Sequence, residues 1–127
     1  MTRLNDVEAK HIADESAART TLAARRFKDQ KPTPGGEAAI RQNIADIVAG
    51  QPKYDRMSSG LAEVTRQQLS QLKSIFANLG AVKSVTFKRV EKNGADVYDI
   101  DFEHGSTEWQ IIMAPDGTID TLGFRPL

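Results

Sequence analysis

The last third of the chain alternates short apolar runs with turn compositions. Four runs of apolar and β-branched residues are separated by Asn93-Gly94, His104-Gly105-Ser106 and Pro115-Asp116-Gly117. Asn-Gly, Gly-Ser and Pro-Asp-Gly are compositions that favour tight hairpin turns. Residues 82–125 are therefore predicted to form a four-stranded antiparallel meander.

The pattern before this sheet predicts three helices. Residues 37–49 repeat isoleucine every three or four positions, and residues 58–79 carry a broad apolar face. Gly50 and Gly80 are predicted to end these two helices. Residues 1–26 are rich in good helix formers, but their apolar stripe is thin, so this helix is expected to dock loosely or to need a partner. The chain is predicted to be one α+β domain over 1–127, with a curved sheet wrapped around the third helix.

The turns also predict which side chains share a face of the sheet. A two-residue turn at Asn93-Gly94 gives three cross-strand pairs: Phe87 with Ile100, Val85 with Phe102, and Lys88 with Asp99. A three-residue turn at Pro115-Asp116-Gly117 gives two more: Met113 with Ile119, and Trp109 with Gly123. The apolar members of the first three strands then face the third helix.

The opposite face is predicted to carry an apolar patch of Ile112, Leu122 and Phe124. Soluble monomers rarely expose a contiguous apolar patch, so the patch indicates a contact surface. The alternative is a β-bulge at Gly123 that turns Phe124 inward.

A second candidate site lies between the third helix and the sheet. Polar and aromatic side chains converge there, as in small-molecule pockets. The candidates are Thr65, Gln68, Arg89, Tyr98, Thr107, Trp109 and Thr121. The alternative is a closed core in which the same polar groups satisfy buried backbone atoms or lie in water at the ends of the sheet.

Composition narrows the possible partners. Seventeen basic and seventeen acidic residues cancel, which disfavours a nucleic-acid or membrane partner. The absence of cysteine excludes disulfides and thiolate chemistry. The first residues contain no apolar run of signal-peptide type, so the chain is expected to be cytoplasmic as written, or a domain cut from an exported bacterial protein.

The sequence contains no recognisable catalytic or metal-binding motif. Ser58 and Ser59 lack the flanking glycines of a nucleophile elbow and are predicted to cap a helix. An acidic row of Asp99, Asp101, Glu103 and Glu108 lies along a flat face, which favours a solvated surface over a cation site. No catalytic residue, cofactor or metal is therefore predicted.

Several blocks of the sequence resemble a known domain type. They are ARRFKDQKPTPGGEAAIRQ, GQPKYDRMSSGLAEVTRQQLSQL, LGAVKSVTFKRV, ADVYDIDFEHGSTEWQI and DGTIDTLGFRP. Over residues 24–126 they resemble the small nuclear-transport-factor-two-like (cystatin-like) domain appended to bacterial serine hydrolases and beta-lactamase-related proteins. The resemblance implies a cone-like cavity, frequent dimerisation, and a catalytic serine in another domain.

The chain departs from that family in two ways. The hairpin usual between the second and third helices is replaced by the short connector QPKYDRM, which predicts a shallower pocket. Enzymatic members use a carboxylate base with a tyrosine-containing oxyanion site. Tyr54, Asp55 and Tyr98 are the right residue types but do not match that motif.

These observations predict a non-catalytic accessory or interaction domain. It would self-associate as a homodimer through Ile112, Leu122 and Phe124. The alternative function is small-molecule binding, or a minimal acid-base enzyme, in the cavity near Gln68 and Trp109. A third possibility is a detached regulatory domain whose partner is a hydrolase.

Overall fold

The computed structural model describes residues 21–127. In chain order they form α1 (residues 21–29), α2 (Gly36–Val48), a short 3₁₀ helix (Tyr54–Arg56), α3 (Ser59–Leu79), β1 (Val82–Val90), β2 (Asp96–Phe102), β3 (Gly105–Met113) and β4 (Ile119–Pro126). The predicted α+β order of three helices followed by a four-stranded antiparallel sheet is confirmed. The part of the predicted first helix before residue 21 lies outside the described residues.

The start of α3 and the ends of α2 and α3 lie at the residues expected from the sequence. The side chain of Ser58 accepts a hydrogen bond from the Leu61 amide at 3.2 Å and caps α3. Gly50 and Gly80, which follow α2 and α3, have φ angles of 74° and 80°. A side chain would be strained in this left-handed region, so glycine ends both helices at low cost.

The core lies between α2, α3 and one face of the sheet, whose strand order is β1-β2-β3-β4. Isoleucines at positions 40, 44 and 47 bring the buried stripe of α2 to this core. Phe76 of α3 stacks on Trp109, with ring centroids 5.9 Å apart, and on Phe102, at 6.2 Å. These contacts hold both helices against the inner face of the sheet.

The first hairpin differs from its predicted register. Glu91 and Ala95 close a three-residue turn, and Phe87 pairs with Tyr98 rather than with Ile100. The longer turn shifts the register by one residue, and a bulge at Lys88 shifts it by one more. The two shifts together leave Phe87 on the predicted inner face. The other predicted pairs also move, since Val85 pairs with Ile100 and Thr86 with Asp99.

The predicted register of the last hairpin is confirmed next to the turn and is wrong further along β4. The predicted pair of Met113 with Ile119 is confirmed. A bulge at Asp120 then shifts the register by one residue, so Trp109 pairs with Phe124 instead of Gly123. A one-residue shift exchanges the two faces of a strand. Leu122 therefore faces the helices together with Phe124.

The described end of α1 is tied to the first hairpin. Arg26 donates a hydrogen bond to the Gly94 carbonyl at 2.7 Å and forms an ion pair with buried Asp96. The side-chain amide of Gln30 bonds both the N–H and the C=O of Val90 at 2.9 Å. This segment is therefore held at the edge of the sheet, whereas the loose docking predicted for the helix over 1–26 falls mostly outside the described residues and stays a prediction.

Candidate functional site

Two pockets open on either side of α2. The larger, here called the α2 groove, has a volume of about 500 Å³ and lies between α2, the 3₁₀ helix and the β3–β4 turn. Its walls are mostly small or apolar side chains, with several polar and charged ones. They are Pro34, Gly35, Ala38, Ala39, Gln42, Asn43, Asp46, Lys53, Arg56, Met57, Met113, Gly117 and Ile119. This volume is typical of small-molecule sites, which span roughly 300–1,000 Å³.

The smaller pocket, here called the α3 pocket, has a volume of about 210 Å³ and lies between α2, α3 and the last two strands. Aromatic and aliphatic side chains form most of its wall. They are Asn43, Ile47, Leu61, Val64, Thr65, Gln68, Leu72, Phe76, Trp109, Leu122, Gly123 and Phe124. It is the cavity between the third helix and the sheet that the sequence predicts.

Asn43 belongs to both pockets. It is 7 % exposed, and its side chain has no hydrogen-bond partner among residues 21–127. The fully buried side-chain polar atoms without a partner in residues 21–127 are Thr33 Oγ1 and Asp99 Oδ1, so the amide of Asn43 instead faces the open space of the pockets. Asn43 therefore offers one hydrogen-bond acceptor and two donors to whatever occupies these pockets.

Three of the predicted pocket residues meet in the α3 pocket. Thr65, Gln68 and Trp109 all line it. The hydroxyl of Thr65 donates to the Leu61 carbonyl at 2.8 Å, and the Trp109 indole N–H donates to Thr107 Oγ1 at 2.7 Å. Gln68 is exposed at the rim, so it and Asn43 are the side chains whose amides can meet a ligand.

Tyr98 shares the inner face with Trp109 but lies elsewhere along it. Its hydroxyl is close to the start of α2, within 3.4 Å of where a Cβ on Gly36 would lie, and its ring contacts Phe87. Burial raises the pKa of Tyr98, and the nearby carboxylate of Asp96 raises it further. Tyr98 therefore remains a neutral phenol.

Arg89 and Thr121 lie on the opposite face, which corrects their predicted positions. The bulge at Lys88 turns Arg89 outward, where it pairs with Glu91 at 2.9 Å. The bulge at Asp120 turns Thr121 outward in the same way. Neither side chain reaches the α3 pocket.

The outer face is organised around Glu108. Its carboxylate is 3.1 Å from Lys88 Nζ and 3.0 Å from an Arg125 guanidinium nitrogen. These hydrogen bonds, that of Lys88 first, lower the pKa of Glu108. Lys88 also lies 3.4 Å from Asp99, although Asp99 pairs with Thr86 in the ladder. Glu108 and Asp99 are therefore matched by cations of the same chain, whereas Asp101 accepts hydrogen bonds from serine hydroxyls and Glu103 accepts one from a backbone amide.

The predicted apolar patch on this face is wrong in two of its three residues. Ile112 lies there, opposite Thr121. Leu122 and Phe124 instead pack against the core, and the Phe124 ring stacks on Trp109 at 4.5 Å. The alternative prediction, a β-bulge that turns Phe124 inward, is confirmed for Phe124, although the bulge lies at Asp120 and not at Gly123. The homodimer stays a prediction, and the patch that suggested it is not present as expected.

Within residues 21–127 no group of three or more His, Asp or Glu side chains could hold a metal ion. Nor does any helix in this part of the chain have the length and apolar character to cross a membrane.

No protein-family model, curated protein or solved structure shows significant similarity to this chain. The resemblance to nuclear-transport-factor-two-like domains therefore stays a prediction.

The sequence analysis missed Asn43, although a signal for it was present. Asn43 is a polar residue within the apolar stripe of α2, between Ile40 and Ile47. A polar residue on a buried stripe needs a partner, and nothing nearby in sequence supplies one. The α2 groove has no comparable signal, since its residues come from α2, the 3₁₀ helix and two strands that are distant in sequence.

Proposed function

We propose that this protein binds a small molecule in the pockets that meet at Asn43. The observation that carries the proposal is the amide of Asn43, which lines both pockets and has no hydrogen-bond partner among residues 21–127. This amide faces the open pockets, so a ligand can bond it without breaking a hydrogen bond within residues 21–127. The absence of an activated nucleophile or acid-base pair at the pockets favours binding over catalysis.

Two further observations support the proposal. The pockets have apolar walls with few polar groups, which is the usual make-up of a ligand site. A cavity between the third helix and the sheet is also what a nuclear-transport-factor-two-like fold predicts. We propose that fold on the order of the elements, without a catalytic role for any residue.

The chain supplies a separate reporter for each pocket. Trp109 is the single tryptophan and lines the α3 pocket. Met57 and Met113 are two of the three methionines, and both line the α2 groove. Indole fluorescence therefore reports on one pocket, and methyl NMR of ¹³C-methionine reports on the other.

The test is a thermal-shift screen of a chemically broad library. Each hit is then titrated into the protein while Trp109 fluorescence and the methionine methyl signals are recorded. We expect hits that raise the melting temperature by mass action and perturb Trp109 or the methionine methyls. Asn43→Leu should weaken their binding about tenfold, since one buried hydrogen bond is lost. The same variant should remain folded, with a free energy of unfolding no lower than that of the wild type, because no hydrogen bond within residues 21–127 is lost.

Asn78→Leu is the matched control, since Asn78 is an exposed asparagine on α3. It corrects for the higher helix propensity of leucine and should leave binding unchanged. A library without a single hit, or hits that bind Asn43→Leu as tightly as the wild type, would contradict the proposal.

A further inference from the structure

The α2 groove has different surroundings at its two ends. Gly35 and Asp46, which both line it, are eleven residues apart on α2, or about 16 Å along a helix. The Gly35 end lies beside the first turn of α2, which already contains the carboxylate of Glu37. That negative charge offsets the positive helix N-terminus. An anion therefore gains little at the Gly35 end.

The other end of the groove carries two cations. Lys53 lies there beside Asp46, and Arg56, whose backbone N–H donates to the Lys53 carbonyl at 3.0 Å, also lines the groove. The carboxylate of Asp46 already has partners within the chain, because it accepts a hydrogen bond from Gln42 at 2.8 Å and lies 3.8 Å from Lys53 Nζ. Arg56 has no ion pair with any carboxylate of residues 21–127. This end of the groove therefore keeps one unmatched positive charge.

Apolar surface connects this charge to the rest of the groove. Ala38 and Ala39 leave space along α2, and Met57 and Met113 face it from the 3₁₀ segment and β3. Methionine side chains adapt to irregular apolar ligands. The groove thus joins an apolar channel, the amide of Asn43 and a terminal guanidinium.

We infer that the α2 groove binds a small amphipathic carboxylate, whose apolar body contacts Met57 and Met113 and whose carboxylate pairs with Arg56. The inference rests on the proposed function and names its ligand class. Arginine suits this role because its planar guanidinium can bind a carboxylate through two parallel hydrogen bonds. Lys53 is matched by Asp46, so the attraction is assigned to Arg56.

The test compares three probes with the same alkyl chain: octanoate, 1-octanol and octylammonium. Each is titrated into the full chain while the ¹³C-methyl signals of Met57 and Met113 are followed, with assignment by Met57→Leu and Met113→Leu. We expect octanoate to bind about tenfold more tightly than 1-octanol, and octylammonium to bind most weakly. Arg56→Gln should abolish the preference for octanoate over 1-octanol.

Two variants serve as controls. Lys83→Gln removes one positive charge from an exposed position on β1 and should leave the preference unchanged. Ala38→Phe fills the groove and should weaken binding of all three probes. Circular dichroism verifies that each variant is folded.

The outcomes separate this inference from the proposed function. Equal binding of octanoate and 1-octanol, or a preference that survives Arg56→Gln, overturns the carboxylate inference and leaves small-molecule binding intact. Failure of all three probes while library hits still bind also overturns the inference alone. Failure of the probes together with an empty library screen overturns both.

Discussion

At Phe124 the face on which a side chain lies depends on a single residue elsewhere in the strand. The extra residue is Asp120, which bulges out of β4 and shifts every later position by one. The Phe124 ring then stacks on Trp109, with ring centroids 4.5 Å apart, and lies tilted against Phe76 at 5.4 Å. Without the bulge the same ring would lie on the outer face, where a contact between two copies was predicted.

Phe124→Ala distinguishes these two roles. We expect it to lower the free energy of unfolding by about 2 kcal/mol, because the ring loses two aromatic contacts and part of its burial. Urea denaturation followed by circular dichroism measures the change. Sedimentation equilibrium should give the same mass for the variant and the wild type, since the ring lies inside the fold.

Thr121→Ala is the control for this experiment. Thr121 is exposed on the same strand, so its truncation should change the free energy of unfolding by less than about 0.5 kcal/mol. A wild-type dimer that Phe124→Ala splits into folded monomers would restore the outer-face prediction.

Among the elements, α1 depends on a few polar contacts rather than on apolar burial. Its side chains at Leu22 and Phe27 are exposed, whereas Arg26 reaches the β1–β2 hairpin and pairs with Asp96. Asp96 is 1 % exposed and also accepts a hydrogen bond from the Thr33 amide at 2.9 Å. A buried carboxylate is tolerated only where such partners remain.

Arg26→Ala should therefore destabilise the whole domain. We expect a loss of about 2 kcal/mol in the free energy of unfolding, because Asp96 stays buried with only the Thr33 amide as partner. Arg25→Ala, at an exposed neighbouring position, should be nearly neutral. Adding Asp96→Asn to Arg26→Ala should recover part of the loss, and a double variant less stable than the single one would contradict this account.

The elements also show what sequence patterns can and cannot predict. Helix ends at Ser58, Gly50 and Gly80, and the Pro115-Asp116-Gly117 turn, depend on local backbone chemistry and are confirmed. The bulge at Asp120 leaves no such pattern, because it arises from packing between strands. The predicted faces of Thr121, Leu122 and Phe124 are wrong because of that one-residue shift. The α2 groove likewise depends on contacts between residues that are distant in sequence, so no local pattern predicts it.

Across the whole molecule, equal numbers of acidic and basic residues conceal a specific arrangement. Glu108 is 4 % exposed and lies among Lys88, Arg89 and Arg125 on the outer face. These side chains come from β1, β3 and β4, so the cluster ties the first and last strands to the third. The contribution of this cluster to stability depends on the charge of the Glu108 carboxylate.

That dependence gives a pH prediction for the folded state as a whole. The pKa of Glu108 is lowered on folding from its ordinary value of 4.5, so its ionised form stabilises the fold above about pH 4.5. This stability is lost as the pH falls through the folded-state pKa. Glu108→Gln should be less stable than the wild type at pH 7, and the difference should shrink at pH 3.

Urea denaturation at the two pH values measures this difference, and Glu63→Gln on α3 is the control. Glu63 is exposed and forms no ion pair with residues 21–127, so its substitution should leave the pH dependence unchanged. About 1 M salt should also reduce the effect of Glu108→Gln at pH 7, because it screens the three neighbouring cations. An effect of Glu108→Gln that is as large at pH 3 as at pH 7 would mean that the side chain stabilises the sheet by packing, and that its charge contributes little.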